Sequence, residues 1–206
     1  MFELKLHPQW KDRLVKAELT TVESWLQLIL PKPLPFMPRV TGGYHQIDEN
    51  LRVFLYCDLQ VNWSRILRYF VMFEWPYSLT ERERRGIEML HEAGFQVAEV
   101  MAWGERKILG LPRQGVLLLL AMPGVSLPRF LQRELDEKAR RRVIQTAEET
   151  LQALQDQGFF WQDCLPQNFF VQADGSVALI NLYSVRRRKL GAIQAQQQFE
   201  LFYSRL

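Results

Sequence analysis

The sequence predicts an α+β fold in two parts, a sheet-rich part over residues 1–121 and a helical part over 122–206. Three observations predict it. Strand-like runs, Leu51–Cys57 (LRVFLYC), Val97–Trp103 and Gly115–Ala121, all fall before residue 122. The clearest helix, Asp136–Gln157, falls after it and is followed by a short hairpin pattern. Between them, Met122-Pro-Gly-Val-Ser-Leu127 breaks the sheet.

Taken in order, Lys11–Leu30 carries apolar residues at Leu14, Ala17, Trp25, Leu28 and Ile29, a helix with a weaker middle at Thr20-Thr21. Pro31, Pro33, Pro35 and Pro38 stop any helix and predict an extended connection. Gly42-Gly43 reads as a hairpin turn. Ser78 is an N-cap with Glu81 as its capping-box partner, and the helix runs through Ile87, Met89 and Leu90 to Gly94. The charged stretch Gly104-Glu105-Arg106-Lys107 reads as the turn joining two strands. Leu127–Leu135 is a short helix. In Asp136–Gln157, Val143, Ala147, Thr150/Leu151 and Leu154 form one stripe, with Arg140, Arg141, Arg142, Glu148 and Glu149 mostly outside it. Gly158 ends it. No internal repeat or low-complexity segment interrupts the pattern.

The chain has 206 residues, 48% hydrophobic and 24% charged, which suits a soluble globular protein able to bury a core. Thirteen Phe and six Trp favour an aromatic core or contact face, and the tryptophans read most simply as core. A net charge of +3 does not call for nucleic acid. Cys57 and Cys164 lie far apart without ligand spacing, so neither a disulfide framework nor a zinc site is expected. His7, His45 and His91 show no ligand spacing either. No signal peptide is expected, because Met1–Lys5 lacks a following apolar core. The apolar run Gly115–Pro123 is too short to span a bilayer. A reducing, cytoplasmic location follows.

The chemistry concentrates in residues 161–185, WQDCLPQNFFVQADGSVALINLYSV. Asp163 is followed five residues later by Asn168. Thirteen residues further on, after the turn Ala173-Asp174-Gly175 and the strand Val177–Ile180, stands Asn181. This is the spacing of a phosphoryl-transfer centre, with a base, a metal-binding Asn and a metal position at a strand end. Taken singly, Asp163 reads as a turn residue and Asn168 as a loop amide. Only the shared spacing favours the site. Cys164 reads as a buried small hydrophobe rather than a reactive thiol.

With these parts in place the chain resembles the lipopolysaccharide kinase (Kdo/WaaP) family, from about Arg52 to the C-terminus. Four stretches carry the resemblance: Ser78–Glu83 through Leu90 and Gly94, Val100–Arg106, Met122–Leu127, and Trp161–Asn168 with Leu179–Arg186. It implies a two-lobed protein-kinase-like fold with a reduced C-terminal lobe, and Met122–Leu127 as its hinge. It implies ATP and Mg2+ as cofactors, and phosphorylation of a heptose or Kdo hydroxyl of the lipopolysaccharide core. Carried over by position, Asp163 is the catalytic base, Asn168 a metal ligand and Glu83 the helix glutamate that partners the nucleotide lysine.

The departures are as informative. Tyr56, in Phe54-Leu55-Tyr56, falls on the lysine position, and no lysine occurs between Pro33 and Lys107. Asn181 replaces the metal aspartate, and Trp161 replaces the histidine before the base. Near Gln197 the family tends to carry an aspartate that braces the catalytic loop; here there is none. Glu83 lies in the charged run Glu81–Arg85, and such a run is more often a solvated helix face. A neutral amide is a poor magnesium ligand, and losing one preorganised charge commonly costs on the order of 100- to 1000-fold in rate. Arg65, Arg68 or Arg186 are conceivable replacement cations. The expectation is a pseudokinase or weakly active phosphotransferase with weakened ATP and Mg2+ binding; the alternative is an active kinase. Its partner is then a core sugar or a protein of the same pathway. The cluster Arg186-Arg187-Arg188-Lys189 has two readings, contact with phosphorylated sugar or an anionic membrane surface, or a solvated basic segment.

Overall fold

A computed structural model describes residues 2–29, 40–71 and 75–206; the prolines of 30–39 and the side chains of Arg65 and Arg68 lie outside the described residues. The chain divides into two units. One comprises Met1–Arg85 with Glu99–Ala121, the other Gly86–Ala98 with Met122–Leu206. The second unit thus takes residues 86–98 in addition to 122–206.

The first unit contains β1 (Phe2–Leu6), α1 (Lys11–Lys16), α2 (Val22–Ile29), β2 (Val40–Asp48), β3 (Leu51–Asp58), α3 (Trp63–Val71), the start of α4 (Leu79–Glu92), β4 (Val100–Ile108) and β5 (Leu111–Leu120). Its five strands form one antiparallel sheet in the order β1-β4-β5-β3-β2. Alternation along β3 sends Leu51, Val53, Leu55 and Cys57 to one face. There they pack with Trp10, Leu14 and Trp25 from the N-terminal helical segment and with Met101, Ala102, Val116 and Leu118 from β4 and β5. Arg52, Phe54 and Tyr56 lie on the opposite face.

Several sequence expectations need correction. Lys11–Leu30 is two helices, because Glu18 is left-handed (φ 57°) and Thr21 caps a new start by accepting the Ser24 N–H. Gly42 and Gly43 are inside β2, opposite Tyr56 and Leu55. Gly42 is needed for close approach, since a Cβ there would lie 2.9 Å from Phe54 Cζ. The β2–β3 turn is at Glu49-Asn50, where Asp48 accepts the Asn50 N–H. Gly104–Lys107 is strand, and the β4–β5 turn is Leu109-Gly110. β1 and α3 have no counterpart among the elements that the sequence predicts.

Ser78 does cap α4, accepting the Glu81 N–H at 3.2 Å, but the capping box is not closed. The Ser78 N–H donates to Glu105 at 2.8 Å, while the Glu81 carboxylate is taken by Arg84 and Arg85. Those guanidiniums hold the Glu81 carboxyl below the ordinary value although burial alone would raise it. The helix ends in a Schellman arrangement at Gly94 (φ 86°), with Gly94 N–H on His91 and Phe95 N–H on Leu90.

The second unit adds β6 (Val125–Ser126), α5 (Leu127–Arg133), α6 (Glu137–Asp156), β7 (Phe159–Trp161), β8 (Phe169–Val171), β9 (Val177–Leu179), β10 (Val185–Arg187) and α7 (Ala192–Tyr203). Asp136 caps α6, whose Val143, Ala147, Leu151 and Leu154 are buried as the stripe predicts. β6, β8 and β9 form a small antiparallel sheet, and β7 pairs with β10. α7, unanticipated, seats Phe202 edge-on against Phe169.

Gly86 sits inside α4, where alanine is ordinarily better by about 1 kcal/mol. A Cβ there would lie 2.3 Å from the Leu182 carbonyl oxygen, next to Asn181. Gly86→Ala is therefore expected to destabilise the protein by about 1–3 kcal/mol, seen as a lower urea midpoint. A gain in stability would contradict this packing.

Candidate functional site

The second unit brings Asp163, Asn168 and Asn181 together. Asn168 ends a 3-10 turn, Pro166–Asn168, whose proline presets the first position. Asn168 is 3% exposed and every polar group it carries is engaged. Its N–H donates to Leu165, its carbonyl accepts from Ile180, and its Nδ2 donates to the Asp163 carbonyl at 2.7 Å. Its Oδ1 accepts from Asn181 Nδ2, also at 2.7 Å.

This network fixes the amide orientations. Only Nδ2 of Asn168 can donate to a backbone carbonyl, so its oxygen must face Asn181. Asn181 must then present its own nitrogen. Asn181 is left-handed (φ 59°, ψ 53°), a conformation open to Asn and Asp alike. The backbone therefore does not demand the amide; the facing oxygen of Asn168 does.

These residues do not fit magnesium. The ion is usually held by one or two carboxylates with phosphate, and here both metal positions are neutral amides. The Asn168 oxygen that would coordinate an ion already accepts an N–H. No group of three or more His, Cys, Asp or Glu able to hold a metal occurs among the described residues.

Asp163 is half-buried, and its N–H donates to Ser184 Oγ at 3.3 Å. Among the described residues its carboxylate has no hydrogen-bond partner. Trp161 is fully buried beside Phe169, and its Nε1 donates to the Asn181 carbonyl at 3.2 Å. It thus belongs to the core while tethering the backbone of the metal position.

The loop does have a brace, one residue beyond Gln197. Gln198, on α7 and 4% exposed, donates to the Trp161 carbonyl at 2.6 Å. Its backbone carbonyl accepts from Cys164 Sγ at 3.3 Å, and its Oε1 accepts from Gln155 at 3.2 Å. A helical period linking Gln198 to Phe202 would have pointed inward, but the surrounding glutamines masked it.

Tyr56 and Glu83 belong to the first unit. Tyr56 is half-buried on β3, and Glu83 is buried on α4 at 5% exposure, which excludes the solvated-face reading for that carboxylate. A cavity of about 270 Å³ in the same unit is lined by Leu26, Asp58, Leu59, Arg106 and Gln114 among others, and by none of the predicted site residues. The basic cluster Arg186–Lys189 lies in and after β10, where the Arg188 N–H donates to the Gly158 carbonyl just beyond α6. Arg187 and Arg188 lie over Phe159 and Phe160. Cations near a helix C-terminus are favoured by its dipole, a structural reason for this cluster.

The lipopolysaccharide kinase (Kdo/WaaP) family model matches residues 42–205. Among solved structures, WaaP in complex with acyl carrier protein is similar at 16% identity and TM-score 0.64, covering 98% of this chain and 80% of that one. The bifunctional kinase-methyltransferase WbdD is similar at 23% identity and TM-score 0.51, covering 74% of this chain and 32% of that one. WbdD with a kinase inhibitor gives 20% identity and TM-score 0.53, covering 77% and 36%. The chain thus spans about a third of the WbdD chains. A direct comparison with curated proteins gives no match.

One test probes the loop and a second the two buried thiols. Gln198→Ala leaves the buried Trp161 carbonyl without its donor and is expected to cost about 1–3 kcal/mol, read as a lower urea midpoint. Burial, with a smaller contribution from Asp58 or Asp163, pushes the thiols of Cys57 and Cys164 from 9.0 up to about 12. Both should resist iodoacetamide at pH about 8 in the native protein and react once it is unfolded. The sign for stability follows: the raised values favour folding fully below about pH 9, and that contribution is lost as pH rises toward about 12.

Proposed function

The chain belongs to the lipopolysaccharide kinase (Kdo/WaaP) family, and from that premise we propose that it is a pseudokinase. On this reading it retains the two-part kinase plan, over 1–121 and 122–206, and has lost efficient phosphoryl transfer. The observation that carries the reading is the Asn181–Asn168 hydrogen bond. Where a carboxylate and an amide oxygen would need a cation between them, an N–H now meets the oxygen directly. The metal position is satisfied without metal. Tyr56 at the lysine position supplies no fixed positive charge for phosphates. Arg186 is half-buried in the second unit and remains only a positional candidate for that charge.

Binding is then the function that the fold serves, in lipopolysaccharide core biosynthesis. The partner is a protein of that process or the phosphorylated core sugar itself. A protein partner draws support from the WaaP structure, solved in complex with acyl carrier protein. For a phosphorylated sugar, exposed Arg187, Arg188 and Lys189 offer donors suited to phosphate. A cytoplasmic position, peripheral at the inner membrane, fits this role; no helix among the described residues is long and apolar enough to cross a membrane.

One observation favours the alternative, an active ATP-dependent kinase for a heptose or Kdo hydroxyl. The Asp163 carboxylate is not tied up by the loop, as a base must not be. The two readings separate by thermal shift. The wild type is expected to show no Mg2+-dependent stabilisation with millimolar ATP, since a ligand of the native state raises the midpoint by mass action. Asn181→Asp sets oxygen against oxygen and is expected to lose about 1–2 kcal/mol without metal, part of it recovered with Mg2+. A clear Mg2+-dependent shift of the wild type, or phosphate transfer to core oligosaccharide that Asp163→Asn abolishes, would establish the kinase instead.

A further inference from the structure

The β4–β5 turn is chemically unusual. Leu109 and Gly110 both have positive φ, 51° and 78°, between paired Ile108 and Leu111, which makes a two-residue type I′ turn. Such turns favour Asn or Asp at the first position, because left-handed backbone disfavours a branched aliphatic side chain. Here the position holds a leucine that is 97% exposed, with Ile108 beside it 46% exposed. Neither the turn nor the core accounts for it.

A second apolar surface adjoins it. β5 runs past the end of β3, since their pairing begins at Gly115↔Asp58, and the chain leaves that same end toward α3. The Val61 N–H donates to the Arg113 carbonyl, and the Arg113 guanidinium lies 4.3 Å over the Trp63 ring. α3 buries Ile66 and Tyr69 but exposes Trp63, Leu67, Phe70 and Val71, at helical spacing along one face. Residues 59–71 and 106–113 carry five cations, Arg65, Arg68, Arg106, Lys107 and Arg113; the carboxylates bordering them are Asp58 and Glu105, with Glu23 and Asp58 lining a cavity beside Arg106. Lys107 pairs with neighbouring Glu105 and Arg106 reaches Gln114, so these heads stay close to the hairpin stem.

We infer that this end of the first unit is a membrane-docking surface, with Leu109 and Ile108 inserting at the turn and the outer face of α3 lying in the interface of an anionic leaflet. Aromatic and aliphatic side chains interleaved with cations are the composition that binds lipid interfaces. Each Lys or Arg near an anionic surface adds attraction of its own. A protein groove would explain the apolar face of α3, but not a single leucine displayed at a hairpin tip among cations. The inference does not depend on whether the kinase chemistry survives.

The test uses the full chain and vesicle co-sedimentation. Binding is expected to vesicles of phosphatidylethanolamine with phosphatidylglycerol, weakening with salt, and little to phosphatidylcholine alone. Leu109→Asn places the favoured residue in the turn, so the fold should be kept or stabilised, while partitioning falls about tenfold. Leu67→Gln on α3 should weaken binding with an unchanged melting midpoint. Arg187→Gln/Arg188→Gln should leave it intact. Failure to bind the anionic vesicles, binding unaffected by Leu109→Asn, or binding lost only in the Arg187/Arg188 variant would each overturn the inference.

Discussion

The hydrogen bond from Asn181 to Asn168 is the constraint on which the loop of the second unit depends. It joins the end of β9 to the 3-10 turn before β8, and through Asn168 Nδ2 it reaches the Asp163 carbonyl. Trp161 then closes the circuit by donating to the backbone of Asn181. Each amide atom in the chain of contacts is oriented by the one before it. Partly buried networks of this kind hold geometry only when every member is satisfied. Here the hydrogen-bond partners are protein atoms.

The same economy appears on the outer side of the loop. Gln198 answers the Trp161 carbonyl and its own backbone receives the Cys164 thiol, so a neutral side chain braces the loop. A charged brace would have to be desolvated at this depth, whereas an amide brings both donor and acceptor at lower cost. Neutral side chains thus stand at Asn181, Gln198 and Trp161. The lone carboxylate left in the loop, Asp163, lies at its half-exposed edge.

How far the sequence could be read depended on whether a local rule decided each feature. The stripe of α6, the cap at Ser78 and the stop at Gly94 were legible because periodicity and capping are local. The spacing of Asp163, Asn168 and Asn181 was legible for the same reason. Gly42-Gly43 misled because glycine serves close approach as well as turns, and only the position of Phe54 distinguishes the two. The charged run at Gly104–Lys107 misled because polar residues also line an exposed strand ribbon. α3 was harder to see because it is only nine residues long, although its sequence sets apolar residues against Ser64, Arg65 and Arg68 at helical spacing. Gln198 escaped because a glutamine among glutamines carries no burial signal.

A residue that violates a local preference without a gain inside the fold calls for a reason outside it. Asn181 passes that check: its left-handed backbone suits Asn, and its amide completes the loop. Trp161 passes it as well, since a fully buried ring with a satisfied N–H belongs to the core. Leu109 does not. It takes a conformation that Asn or Gly would adopt more readily, and its side chain touches solvent rather than core. The departures at Asn181 and Trp161 are therefore explained by the fold's own stability, and they are silent about any partner. The departure at Leu109 has no such explanation within the fold. In this molecule the residue that calls for an external surface belongs to the first unit, and the loop that announces its ancestry to the second.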